Sequence, residues 1–267
     1  MQVLSLSNTS VIAAARPTDD FERLSSLQRY FDTRLMIVEM ELLDPSTVEE
    51  SKDSIAERSS PTKSSHYTST SCCMQAAAKL VQDAHPQGID YLINNAGILG
   101  SYSDVVQQSM DDFKQVLLVN VVGTFCVTKS ILHLLRLGTR KTIVHISSNA
   151  ASLSRNHAYI KQEGLTEANL ALSYRASKVA INMETSVLAN DLKTEGFTVV
   201  SLDPGDVSTG MWKYLLQNVY TENGGTQRRQ PSLTPQQSVA AMLTLTLRLS
   251  TQQSGKFLLY DGQELPW

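Results

Sequence analysis

The stretch Thr142-Ile143-Val144-His145-Ile146-Ser147-Ser148 carries the reading of the fold. It is short, apolar and β-branched, and it ends in two hydroxyls, the pattern of a buried strand whose last residues are polar. Working outward, similar runs lie at 10–15, 35–40, 91–94, 198–202 and 256–260. Longer segments with helical spacing separate them, for example 113–135 and 177–193. This alternation predicts an α/β fold, a doubly wound, mainly parallel sheet with helices on both faces. Ligands of such sheets bind beyond the carboxyl ends of the strands. Asn94, Ser147, Ser148 and Thr209 all lie at or just past predicted strand ends, where such a cleft would form.

The length, 267 residues, suits a single domain over 1–267 with a sizeable core. A formal net charge of −3 and the lack of any basic block give no support to nucleic acid as a partner. No membrane association is expected, because no apolar run reads as long enough to cross a bilayer and no signal peptide pattern opens the chain. Cys72, Cys73 and Cys126 offer neither a disulfide framework nor a metal-ligand spacing, which predicts a reducing, cytoplasmic setting. The histidines His66, His85, His133 and His157 are dispersed, so no metal site is expected. His145, inside the opening strand, reads as a packed residue. A segment rich in Ser and Thr at about 57–73, with Pro61 in it, lacks apolar surface to bury and is expected to be a disordered insertion.

Chemistry enters with Tyr174-Arg175-Ala176-Ser177-Lys178. Tyr174 and Lys178 are four residues apart and therefore share one helix face. An ammonium beside a phenol favours the phenolate, which predicts a Tyr174 pKa drawn down toward working pH. Such a phenol exchanges a proton with an alcohol or carbonyl oxygen. Taken alone, the pair is equally at home on an ordinary amphipathic helix.

Four further segments fall into order around it. Asn94-Asn95-Ala96-Gly97 closes one strand, Asn120-Val121-Val122-Gly123 lies in a helical pattern, Ser147-Ser148 closes the next strand, and Pro204-Gly205-Asp206-Val207-Ser208-Thr209 follows another. With these motifs the chain resembles the short-chain dehydrogenase/reductase family, which carries NNAG, NxxG, Ser, YxxxK and PGxVxT in that order. The tail with Gly255, Asp261-Gly262 and Leu265-Pro266-Trp267 is similar to the carbonyl-reductase-like branch. The resemblance implies a Rossmann-like sheet and reduction of a carbonyl on a small molecule, or the reverse, by hydride transfer with NADP(H). It leaves room for assembly of identical chains.

The resemblance also implies roles. Tyr174 would be the acid, Ser148 would hold the substrate oxygen, and Lys178 would tune Tyr174 and bind the nicotinamide ribose. Asn120 would hold a relay water. Arg16, at a predicted strand end, would meet a 2′-phosphate, and Asp44 the adenine; a solvated arginine and a turn residue are the alternatives. Asn94, Ala96 and Gly97 would line the adenosine ribose, or serve only as a tight turn. Pro204, Gly205 and Thr209 would shape the nicotinamide end. The family's opening strand and TGxxxGxG turn have no counterpart before residue 10, so the sequence reads as incomplete at its N-terminus relative to that pattern, with an interrupted sheet and weak dinucleotide binding as expectations. A catalytically inactive relative acting as a scaffold, or a truncated gene product, stands beside the enzyme reading.

Cofactor choice tests the role of Arg16. Replacing Arg16 with Asp should turn a preference for NADPH into one for NADH, because one charge-assisted contact is worth on the order of 1.5–3 kcal/mol. Dissociation constants for both dinucleotides measure it, and an unchanged preference would assign the 2′ position to another residue.

Overall fold

The computed structural model describes residues 10–15, 35–39, 68–101, 103–160, 171–218 and 231–267. The chain divides into two compact units, Met1–Gly88 with Cys126–Leu137, and Ile89–Phe125 with Gly138–Trp267. Among the described strands no backbone ladder joins the sheet of one unit to that of the other.

In the first unit β1 (Val11–Ala15) and β2 (Leu35–Glu39) pair in parallel, with Val11 opposite Leu35 and Ala15 opposite Glu39. Helix α1 spans Thr68–Ala84 and so begins inside the segment expected to be disordered; 57–67 lies outside the described residues. The physical reason is the buried stripe Met74, Ala77, Ala78 and Val81 at helical spacing. Once that stripe nucleates a helix, extension through Ser and Thr costs little per residue.

The second unit holds a four-stranded parallel sheet in the order β3 (Tyr91–Asn94), β4 (Thr142–Ile146), β5 (Thr198–Asp203) and β6 (Phe257–Leu259). Every residue of β5 is buried, as a central parallel strand covered on both faces requires. Val144, Val200, Leu202, Leu249 and Leu258 form the core, with Ile146, Met242 and Leu245 packed against it. The expected Rossmann-like sheet with flanking helices is present, in register Ile146 opposite Leu202 and Ser201 opposite Phe257.

The helical run predicted at 113–135 is α2 (Met110–Leu117), a π turn (Leu118–Gly123) and α3 (Thr124–Leu137) in succession. Together Met110–Leu137 is long and apolar enough, by length and composition, to cross a membrane, which the sequence reading had not anticipated. Asn120 at its middle is fully buried and hydrogen-bonded, as in the core helix of a folded domain. Next come α4 (Leu153–Ile160), α5 (Leu172–Asp191), α6 (Gly210–Asn218) and α7 (Pro235–Arg248). Local chemistry sets their starts. Ser109 caps α2, and Thr234 with Gln237 forms a capping box before Pro235 at the head of α7.

Helix α5 lies against β5, α2 and the π turn, and the face it buries is polar as well as apolar: Ser177, Lys178, Ile181, Asn182, Thr185 and Ala189. Thr185 Oγ1 donates to the Ile181 carbonyl at 3.0 Å, and so accepts from Ser201 Oγ at 2.7 Å and from His145 Nδ1 at 2.9 Å. That sequence of donors places the hydrogen of His145 on Nδ1. Burial pushes the His145 pKa down to about 4, with the Lys178 charge adding to it, so His145 is a neutral packed residue as the sequence predicts.

Thr185→Val keeps the volume but strands the His145 and Ser201 donors inside the unit. Urea denaturation should show a loss of about 1–3 kcal/mol. A loss of only a few tenths would mean that this seam is not held by its hydrogen bonds.

Candidate active site

Three strand ends and one helix bring the motif residues together. Parallel β3, β4 and β5 end on the same side, so the turns after Asn94, Ile146 and Asp203 open toward one another. Asn94 is half-buried, while Asn95, Ala96 and Gly97 are exposed beyond β3. Ser147 is buried and donates to Asn182 Oδ1 at 2.7 Å, which makes it a structural residue. Ser148 is half-buried and accepts from the Ala150 amide at 3.2 Å, and its side chain lies near enough to the Tyr174 hydroxyl to favour the phenolate. Two residues distant in sequence thus meet at the end of β4.

Lys178 follows Tyr174 by one helical turn, is 4% exposed, and holds its ammonium 5.6 Å from the Tyr174 ring centre. Its Nζ donates to the Ile146 carbonyl at 2.7 Å. Burial draws the lysine down to about 8. Burial also pushes Tyr174 up to about 12, the Ser148 hydrogen bond opposing this and the Asp203 charge adding to it. The lowered Tyr174 pKa expected from the Tyr-Lys spacing is therefore corrected: desolvation of the phenolate raises it and outweighs the lowering by Ser148. At neutral pH Tyr174 is a phenol, poised to donate a proton.

Asn120 sits on the π turn, an element common at functional sites because it rotates a side chain out of helical register. Its Oδ1 accepts from the Ile98 amide at 2.8 Å, and its Nδ2 donates to the Ile98 carbonyl and to Ser177 Oγ, both at 2.9 Å. Ser177 Oγ in turn donates to the Tyr174 carbonyl at 2.7 Å. The Asn120 amide hydrogens are both committed, so its side chain clamps the turn after β3 to the helix that carries Tyr174. The relay water implied for it has only acceptor capacity left on Oδ1. Ser177 is a residue that sequence reasoning passed over; its one signal was its place three residues after Tyr174, where a serine hydroxyl reaches back to a helix carbonyl.

Pro204 and Gly205 follow β5. Gly205 has φ +79°, and a Cβ there would stand 2.8 Å from two carbons of the Tyr260 ring, so only glycine makes this turn. The buried Ser238 hydroxyl fixes the Pro204 carbonyl at 2.7 Å. Thr209 is exposed and accepts from the Trp212 amide at 3.4 Å, at the start of α6. Gly97 leaves open the space above the clamp: a Cβ on it would lie 3.2 Å from Asn120 Oδ1 and 3.6 Å from Lys178 Nζ. Arg16 and Asp44 lie outside the described residues. Among those that are described, no cluster of His, Cys, Asp and Glu could hold a metal.

Known proteins are similar to this chain. The family described as short chain dehydrogenase matches residues 45–219. The C-signal protein of Myxococcus xanthus is 33% identical over 179 residues, covering 67% of this chain and 93% of its own. The short chain dehydrogenase gsfK of Penicillium aethiopicum is 30% identical over 269 residues, 99% of this chain and 91% of its own. Among solved structures, the NADPH-bound carbonyl reductase from chicken fatty liver superposes with a TM-score of 0.74 at 26% identity, covering 100% of this chain and 87% of that one.

Asn120→Ala removes three hydrogen bonds and leaves the Ile98 amide and carbonyl unpaired. It should destabilise the protein by about 2 kcal/mol or more and speed hydrogen exchange at the Ile98 amide. Unchanged exchange at Ile98 would show that something else holds this turn.

Proposed function

The chain belongs to the short-chain dehydrogenase family, and from that premise we propose an NADP(H)-dependent oxidoreductase that interconverts a carbonyl and an alcohol on a small molecule. The observation that supports this reading best is the gathering of Tyr174, Ser148 and the buried Lys178, whose ammonium stands 5.6 Å from the Tyr174 ring centre. When bound, a nicotinamide cofactor supplies the hydride. The residues present suit such a group, because Ala96 and Gly97 are exposed and Gly97 keeps the approach to Lys178 free of a side chain.

In this reading Tyr174 gives its phenolic proton to the oxygen that gains negative charge, and its pKa near 12 keeps that proton in place across physiological pH. Ser148 donates to the same oxygen and fixes its position between two hydroxyls. Lys178, with a pKa near 8, is cationic at neutral pH and holds the ribose hydroxyls of the nicotinamide half. Asn120 keeps the turn after β3 and the Tyr174 helix at a set distance. Asn94, Ala96 and Gly97 serve the adenosine ribose, and Pro204, Gly205 and Thr209 the nicotinamide end. NADPH in the chicken carbonyl reductase supports the choice of NADP(H), with Arg16 as the residue that would read the 2′-phosphate. The cytoplasm is the compartment that suits this chemistry and the unpaired thiol of Cys126.

Tyr174→Phe removes the proton and little else. Turnover of NADPH with a panel of small ketones and aldehydes should fall by about a hundredfold or more, while fluorescence titration gives an NADPH affinity within a few-fold of the parent. Activity near the parent's would exclude Tyr174 as the acid.

A further inference from the structure

Beyond β6 the chain turns back on itself and reaches the segment that follows Ser148. Leu258 and Glu264 form an antiparallel bridge, and the Leu265 amide donates to the Phe257 carbonyl at 2.8 Å. This return lays the Trp267 ring on the fully buried Phe257, with ring centres 5.6 Å apart and planes inclined by 26°. The backbone oxygen of Trp267 accepts from the Ser154 amide at 3.1 Å, from Ser154 Oγ at 2.9 Å and from Ser152 Oγ at 3.5 Å. Because β5 lies between β4 and β6, the contact ties together two segments that share no ladder. Ser152 and Ser154 stand at the head of α4, where the first amides have no partner within the helix. Ser152 Oγ accepts from the Arg155 amide there at 3.1 Å, and the Trp267 oxygen takes the amide of Ser154.

From Ser152 an unbroken run of hydrogen bonds leads back to Ser148. The Ser152 amide donates to the Asn149 carbonyl at 3.1 Å, the Ala151 amide to the Ser148 carbonyl at 2.9 Å, and the Ala150 amide to Ser148 Oγ at 3.2 Å. We propose that Trp267 is a positioning residue for the reaction: it pins the head of α4 and thereby holds Ser148 Oγ at the place where it meets the substrate oxygen. The inference rests on Ser148 holding that oxygen. A hydroxyl that stabilises a developing negative charge works only within hydrogen-bond reach of it. Ser148 Oγ accepts from the Ala150 amide, so its own hydrogen is left for the substrate. The near end of this turn is held by Ser147, whose amide donates to the Leu202 carbonyl at 2.7 Å and whose hydroxyl donates to Asn182. Between the two ends runs a single 3₁₀ turn, Asn149–Ala151, a form with poorer hydrogen-bond geometry than an α-helix. Such a turn keeps its shape when both ends are fixed, and Trp267 fixes the far one.

A double-mutant cycle in the full chain tests this, with kcat measured at saturating NADPH and carbonyl compound, at a temperature where circular dichroism shows each variant folded. Trp267→Ala loses the ring that seats the strap on Phe257. It should lower kcat by about tenfold and leave the NADPH dissociation constant within about twofold of the parent's. In a Ser148→Ala background the same replacement should change kcat no further, because the group it positions is gone. Trp267→Phe, which keeps a ring on Phe257 and the backbone oxygen, should restore most of the rate. An unchanged kcat in Trp267→Ala, or a loss of equal size in both backgrounds as a merely structural role would give, overturns the proposal. If Trp267→Ala does not fold, Ser154→Ala, which removes one donor to the Trp267 oxygen, is read in its place. A second readout needs neither cofactor nor turnover: hydrogen exchange at the Ala150 and Ala151 amides should quicken by about tenfold in Trp267→Ala, and unchanged exchange overturns the proposal. Faster exchange in a protein that reduces no carbonyl upholds the link from Trp267 to Ser148 and sinks the reductase reading, whereas turnover with unchanged exchange does the opposite.

Discussion

The buried polar face of α5 is the constraint on which the described second unit depends. A helix that packs its Ser177, Lys178, Asn182 and Thr185 side chains inward must find each a partner or lose the cost of desolvating it. The partners come from the whole width of the unit: Asn120 on the π turn, Ile146 and Ser147 on and after β4, Ser201 on β5. Each contact specifies both rotation and depth of the helix. Once these are set, Tyr174 has only one place to go, beside Ser148.

The same burial sets the proton chemistry. Burial shifts both groups toward their neutral forms, Tyr174 to about 12 and Lys178 to about 8. A lysine close to a tyrosine is commonly taken to activate it by charge alone, yet here both groups pay for leaving water, and the tyrosine keeps its proton. Desolvation is the largest cause in both shifts. At neutral pH a site so arranged holds a phenol beside an ammonium.

The π turn illustrates how a local irregularity serves a distant fit. A regular α-helix through Met110–Leu137 would present Asn120 at another angle, and the paired hydrogen bonds to Ile98 would not form. The exposed turn after β3 is thereby tied at Ile98, and Gly97 puts no side chain between the turn and Lys178.

By itself the sequence determined the alternation of strands and helices, because apolar runs of four to six β-branched residues and stripes at helical spacing have few other uses; the strands lie within a residue or two of their predicted bounds. It also marked Asn120, Ser148, Tyr174 and Lys178, whose residue types and order are a chemical pattern written along the chain. Tertiary structure alone decided the rest. The extent of α1 depended on a buried stripe, the division into two units on which strands share a ladder, and the Tyr174 pKa on how much water its surroundings exclude. Asp203 and Ser177 stand inside motifs marked in the chain but had no role of their own there, since an aspartate at a strand end and a serine in a helix are commonplace. Their meaning comes from what the fold lays against them: hydrogen bonds and burial are properties of distance in space, which spacing along a sequence encodes only within a helix turn or a strand pair.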